Sequence, residues 1–471
     1  MFIPKMNNPF FSRQIYREAV LCIFVVFPLA NMLAHGSFQK LVIFLGVGFS
    51  GVLVLIWPRF YQRILFVAFC FLFFVPAISV LKPEDVNYNA YFAIILTAST
   101  VAFLATGKKF KIDFLIFFFM WFIVNAVIFW GFKDVIKNYT LLTVPLTGLS
   151  LYYIFLQFTN YKEIIFFIKL IMATVIIESL FGISQSFFGE PIFSNIVKEV
   201  YQSERNYFIF IFPQADALVN QGYGTFEHFN GLGGLLSLTF PVFFGFWRAK
   251  SNSLLRFVFM CLVFLGLITT YSRGALLGAI IGTSFIIILN SKSPKLKSLI
   301  LLLVGIIIML YYWGILQTYI ETTGNISSRV KTWAIAFDYA LKTPGEFFFG
   351  YGVFFFKREL LGVGQTLSNL HSGQLQILLE LGVFGFLLFI IPFIRVFFSL
   401  FKNQRDLFSI SLAAGIMSFF SHQFFDNSMF GLLGVIMFCF LAILEFSLKH
   451  RNKTILTWWY GRKDFQIAPK G

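Results

Sequence analysis

Arg273, Arg329 and His371 are the side chains of this sequence whose type and setting best suit chemistry on an anionic substrate. Arg273 stands in Thr269–Thr270–Tyr271–Ser272–Arg273–Gly274–Ala275, a polar interruption of a long apolar stretch. Such a break predicts a tight turn with Arg273 opening the next helix. There a guanidinium joins the positive end of the helix dipole and makes an anion site; an arginine snorkelling to a membrane interface fits the same position. Arg329 lies in Ser327–Ser328–Arg329–Val330–Lys331–Thr332–Trp333. Apolar spacing at Val330, Trp333, Ala334, Phe337 and Leu341 predicts a short helix over Ser328–Leu341, capped by Ser327 or Ser328, with Arg329 on its first turn. A solvated basic residue on an interfacial helix is the plainer reading. His371 lies in Ser368–Asn369–Leu370–His371–Ser372–Gly373–Gln374–Leu375, where an apolar run begins. A helix N-terminus disfavours imidazolium, so the ring should stay neutral and able to accept a proton. A lone histidine at an interface is also an ordinary amphipathic residue. Glu380 lies about 180° around that helix and about 13 Å deeper, too far to orient His371. It reads as the partner of another helix or the wall of a polar cavity.

A fourth segment runs from Gly222 through Tyr223–Gly224–Thr225–Phe226–Glu227–His228–Phe229–Asn230 to Gly231–Leu232–Gly233–Gly234. Glu227, His228 and Asn230 suit hydrogen bonds to sugar hydroxyls, whereas Gly231, Gly233 and Gly234 suit close helix packing. No His/Asp/Glu pair has metal-ligand spacing, and no Ser-His-Asp arrangement or redox motif is visible, so neither metal nor cofactor is expected.

The elements that must position these residues follow from composition. Hydrophobic residues make up 58% of the 471 and charged residues 12%, far from a soluble domain's balance and incompatible with a disordered chain. Apolar runs near 19–34, 41–57, 64–81, 90–106, 114–130, 140–158, 164–187, 229–247, 257–271, 273–290, 298–316, 373–394, 408–421 and 427–446 predict an all-α polytopic membrane protein of about 12–14 spanning helices. The runs do not alternate in polarity, which excludes a β-barrel. Lys5, Arg13 and Arg17 precede the first run with no small-residue cleavage site after it, which suits an uncleaved signal-anchor. Cys22, Cys70, Cys261 and Cys439 stand singly in apolar stretches and read as fillers. The net charge of +16 does not imply nucleic acid, because the basic residues cluster in alternate loops (Arg59 and Arg63; Lys108, Lys109 and Lys111; Lys162; Arg248, Lys250 and Arg256; Lys292, Lys295 and Lys297; Arg395, Lys402 and Arg405) and in the tail. By the positive-inside rule both termini are cytoplasmic. The division expected is an N-terminal bundle over 1–188, an outside loop over 189–228, helices over 229–316, a large outside catalytic loop over 317–372, C-terminal helices over 373–446, and a basic cytoplasmic tail over 447–471.

In order, GTFEHFNGLGG, YSRGALLG, SSRVKTW, GYG and LHSGQLQILLELGVFG make the region 220–385 similar to the O-antigen ligase/O-antigen polymerase superfamily of bacterial polyprenyl-linked glycan transferases. Ser372 departs from it, standing where the family often has Asn. The resemblance implies a GT-C-like, metal-independent inverting glycosyltransferase of the inner membrane, multi-pass, with its active site on the periplasmic face. It implies Arg273 and Arg329 as catalytic groups stabilising the diphosphate, and His371 as general base. Glu227, His228, Asn230, Ser272, Tyr351 and Glu380 are the accompanying substrate-binding candidates. The donor implied is a glycan on undecaprenyl diphosphate, the acceptor a glycan hydroxyl (a surface-polysaccharide polymerase) or the lipid A core or a protein (a ligase), with a chain-length regulator as a further partner. The SRGALLG and HSGQLQILLELGVFG stretches lean towards the polymerase branch. A transporter of lipid-linked glycan is the competing class; it would call for matching helix breaks in two halves of the chain, which are not evident.

Overall fold

The computed structural model describes residues 62–63, 66–67, 69–70, 113–131, 140–188, 221–226, 229–305, 325–353, 355, 372–402, 406–424, 426, 431–450 and 453–461. Every element among them is helical: α1 (Phe114–Trp130), α2 (Thr140–Tyr153, extended by a π-helical turn, Ile154–Phe158), α3 (Tyr161–Phe188), α4 (Phe229–Ala249), α5 (Leu254–Thr269), α6 (Arg273–Asn290), α7 (Asn325–Ala340), α8 (Pro344–Phe349), α9 (Gly373–Lys402), α10 (Leu407–Gln423), α11 (Leu432–Lys449) and α12 (Lys453–Tyr460). Helices α3, α4, α6 and α9 are long and apolar enough to cross a membrane, and α11 turns by 113° into α12. The chain is an all-α polytopic membrane protein. The other expected spans in the described residues are the shorter apolar helices α1, α2, α5 and α10, and a helical segment over 294–305. The runs at 19–34, 41–57 and 90–106, and nearly all of 64–81, lie outside the described residues.

The centre of the bundle is α4 and α6 running parallel, both packed antiparallel against α10. Small residues make that approach possible. Gly245 meets Ser411, Gly415 meets the Leu238 carbonyl, Gly278 meets the Ser418 carbonyl, and Gly282 fits between Ala414 and Pro241. Gly233 packs on Ser272 and Ala275 and Gly234 on His422 and Leu433, the helix packing expected of them, whereas Gly231 meets Phe226 of the turn that precedes α4.

These contacts define two ends. At one stand the C-termini of α3, α5 and α10 and the N-termini of α4, α6 and α9. At the other, side chains near the ends of α1, α2, α9 and α11 form a polar knot. Asp113 caps α1 by accepting from the N–H groups of Leu115 (3.0 Å) and Ile116 (3.3 Å), and the Tyr153 hydroxyl donates to it (2.8 Å). Glu445 accepts from Tyr152 (2.7 Å), Arg395 (3.0 Å) and Lys449 (2.6 Å). A carboxylate in a helix bundle is tolerable only when so paired.

The helix around Arg329 begins at Asn325 rather than at Ser328. Ile326 extends the stripe of Val330, Trp333 and Phe337 by one turn, so the seryl caps are interior residues and Arg329 falls beyond the first turn.

Candidate functional site

The 222–226 turn that leads into α4 is held from below by two polar residues of α3. Gln185 donates through Nε2 to the Gly224 carbonyl (2.6 Å), and its Oε1 accepts from the N–H groups of Tyr223 (2.8 Å) and Gly224 (2.7 Å). Glu178, fully buried, accepts from the N–H (3.0 Å) and hydroxyl (2.5 Å) of Thr225. A Cβ on Gly222 would collide with the Gly182 backbone, so the turn lies directly on the helix. Burial pushes the Tyr223 phenol above its ordinary pKa. The Gly222 N–H then reaches across to the Thr269 carbonyl at the end of α5 (2.8 Å).

That bond brings the turn beside the α5–α6 connection. Tyr271 adopts a positive φ of 53°, uncommon for a side-chain-bearing residue, and this folds the chain back within three residues. Arg273 is the first residue of α6. Ser272 occupies the N-cap position but makes no side-chain cap. Its hydroxyl instead donates to Asn230 Oδ1 on α4 (2.8 Å), which links two of the candidate binding residues directly. The first turn of α6 therefore keeps its positive end without a serine lone pair to neutralise it, with a guanidinium at the same point.

The second half of the site is organised by a break in α9. Gly382 has φ 70° inside an otherwise continuous helix. The break releases carbonyls that a straight helix would use internally, and in an apolar setting each must find a new donor. They do: the Leu379 carbonyl accepts from the Tyr351 N–H (3.0 Å), that of Glu380 from the Gly352 N–H (3.0 Å), and that of Leu381 from Trp121 Nε1 on α1 (3.1 Å). Gly350 (φ 78°) and Gly382 face one another so closely that a Cβ on either would strike the other's backbone. Asn125, fully buried on α1, locks the arrangement by donating to the Phe349 carbonyl (3.0 Å) and accepting from the Val353 N–H (2.9 Å). Helix α8 delivers the turn: Thr343 caps it, accepting from the Glu346 N–H (3.2 Å), with Pro344 at its start.

The Tyr351 hydroxyl lies 2.7 Å from Glu346 Oε2 and 2.8 Å from the Tyr339 carbonyl on α7. Burial, and then the Glu346 carboxylate, hold its phenol well above the usual range. Tyr351 thus joins α7, which carries Arg329, to α8 and α9, and it stacks on Phe355 in a small cluster with Ala336, Ala340 and Leu379. Glu380 is 2% exposed and accepts from Gln376 Nε2 one turn earlier (3.0 Å).

Among the candidate residues, the structure joins Ser272, Arg273 and Asn230 at one turn, and Tyr351 and Glu380 at the α9 break. Glu227, His228 and His371 lie outside the described residues, as does the side chain of Arg329, whose backbone is helical in α7. Ser372, next to His371, is buried, and the following N–H, of Gly373, donates to the Asp426 carbonyl beyond α10 (3.0 Å). His422, 1% exposed, places Nε2 3.4 Å from Asp426 Oδ2. Sequence reasoning passed over Asn125, Glu178, Gln185 and His422. Each stands as a polar residue in an apolar run, which is itself a signal, because such residues are costly in a membrane unless they hold something in place.

Residues 257–390 match the family model described as O-antigen ligase. No curated protein matches the chain. The matched segment runs from α5 into α9 and contains the Arg273 turn, α7, α8 and the Gly350–Gly382 contact. An O-antigen ligase-type domain thus lies over residues 257–390, the segment that holds YSRGALLG, SSRVKTW, GYG and LHSGQLQILLELGVFG.

Proposed function

We propose that the chain is a metal-independent inverting glycosyltransferase that moves a glycan from undecaprenyl diphosphate to a glycan hydroxyl at the periplasmic face of the inner membrane. The observation that carries this reading is Arg273 at the uncapped start of α6, inside the matched segment. The acceptor oxygen attacks the anomeric carbon opposite the leaving group. The anomeric C–O bond breaks, its electron pair leaves with the lipid diphosphate, and the acceptor proton passes to His371. Arg273 and Arg329 hold the developing negative charge, a task for which planar guanidiniums suit a diphosphate. Glu227, His228 and Asn230 bind sugar hydroxyls, Asn230 being oriented by Ser272. Tyr351, bonded to Tyr339 of α7 and to the Leu379 carbonyl of α9, keeps the two helices in register beside the substrate, and Glu380 lies at the same break in α9.

Transfer to a glycan makes a polysaccharide polymerase; the description of the matched family favours a second reading, a ligase transferring to the lipid A core. Purified protein supplied with carrier-linked glycan and each acceptor in turn separates them. The polymerase reading expects carrier-linked oligomers and released undecaprenyl diphosphate without added core. Release only in the presence of lipid A core would make the protein a ligase, and no release with any acceptor would end the reading.

A further inference from the structure

The end of the bundle opposite Arg273 carries a helix that the transfer does not use. Where α11 ends the chain turns by 113°, so α12 runs across the ends of the spanning helices rather than along them. It is fixed from one side: Ile455, Leu456 and Trp459 are buried, and Trp459 packs on Phe246 of α4 and Phe408 of α10. The Tyr460 hydroxyl accepts from the Leu407 N–H (3.1 Å). Trp458 stays half-buried. A short amphipathic helix bearing tryptophan and tyrosine at the end of a bundle suits the headgroup layer of a bilayer.

Three cations gather at its last turn. Lys169 is exposed two turns into α3, about 12 Å from the start of that spanning helix, where an ammonium must reach back to the polar layer. Its Nζ lies 5.7 Å from the centroid of the Trp458 ring. Lys250 and Arg256 close on Gly461, which ends α12: a Cβ there would stand 3.7 Å from Lys250 Nζ and 3.6 Å from Arg256 Nη2. Arg256 serves the fold, donating through Nη1 to the carbonyls of Phe246 (2.8 Å) and Trp459 (2.6 Å), and so offsets the negative end of α12. The exposed Lys250 and Lys169 have no such task. Among the described residues none of the three cations is paired with a carboxylate, whereas Arg63, Arg395 and Lys449 all are.

We propose that Lys169 and Lys250, with Arg256 behind them, bind the headgroup phosphate of an anionic glycerophospholipid from the leaflet at this end. The lipid supplies the counter-charge that the chain lacks there. Leu254 and Leu255, beside Arg256 and exposed (75% and 62%), offer apolar surface to its acyl chains. A zwitterionic lipid brings its own cation and so gains less from the same two ammonium groups. The inference requires only that the chain spans a bilayer and is independent of the transferase reading.

The test needs no turnover. Delipidated full-length protein in detergent is titrated with phosphatidylglycerol, phosphatidylcholine or inorganic phosphate, and the thermal midpoint is read. Phosphatidylglycerol should raise the midpoint to a plateau, and the other two should not. Each lysine removed should weaken the titration about fivefold, so Lys169→Gln with Lys250→Gln should need roughly 25-fold more lipid. The lipid-free midpoint of that double variant should match the wild type, because both side chains are exposed. Lys169→Arg keeps the charge and should titrate as wild type. So should Lys292→Gln with Lys295→Gln, which removes two exposed cations after α6 at the same end. An equal response to phosphatidylcholine would mean bulk lipid only, and a response to inorganic phosphate an adventitious ion only. An unchanged titration in the Lys169/Lys250 variant, a lowered lipid-free midpoint, or the same loss in the Lys292/Lys295 variant would each overturn the site.

Discussion

Arg273 combines two sources of positive potential, its guanidinium and the start of α6, and Ser272 is turned away from capping that start. Arg273→Ala should therefore lower transfer by about 10²–10³. Arg273→Lys, which keeps charge but loses the planar fork, should recover only part of it. Arg329→Lys should be milder if α7 can shift with its loop. Full complementation of a deletion strain by Arg273→Ala would reduce the residue to a helix anchor. Asn230→Ala should raise KM more than it lowers kcat, since the amide is given a binding role; the KM–kcat split of purified protein checks this. His371 is assigned the proton, so wild-type activity should fall as pH drops through the ordinary imidazole range near about 6.5. A flat profile from pH 5 to 8 would remove it as base.

At the scale of elements, the Gly350–Gly382 contact ties the loop carrying α7 and α8 to the helix that follows His371. Both glycines have positive φ and backbone in the way of a Cβ. Gly382→Ala and Gly350→Ala should each separate the turn from the helix, lowering the thermal midpoint and abolishing activity even though neither residue touches substrate. Asn125→Ala leaves a buried carbonyl and N–H without partners and should cost about 1–3 kcal/mol. For Tyr351 the raised pKa means that the neutral phenol is the folded form. Its contribution is complete below its unfolded pKa of about 10 and is lost only as pH rises through the higher folded value. Tyr351→Phe should thus destabilise by about 1 kcal/mol, equally at pH 6 and pH 9. A penalty that changes between those values would contradict the Glu346 bond.

For the whole molecule, an uninterrupted apolar run can bury its backbone polar groups only as a helix, so α1, α2, α4, α6, α9 and α10 stand where the runs are. The Arg273 turn was legible for the same reason, because seven polar or small residues broke a run. The break in α9 was not, since Gly382 resembles any helix-packing glycine until Gly350 arrives against it. Asn125, Glu178 and Gln185 announced themselves as polar, but each contacts a segment 38 or more positions away that its own neighbourhood does not specify. The charge pattern predicts cytoplasmic termini, with 189–228 and 317–372 outside. Fluorescent and phosphatase fusions test this: a periplasmic C-terminus would invert the site.

The central claim is that two arginines and a histidine, without a metal, perform the transfer. The most direct measurement is glycan transfer from undecaprenyl diphosphate by purified protein, in EDTA, for wild type and His371→Ala. The account predicts undiminished wild-type turnover in EDTA and a loss of about 10²–10⁴ in His371→Ala with donor binding retained. A His371→Ala protein turning over at the wild-type rate, or a wild type silenced by EDTA, would contradict it.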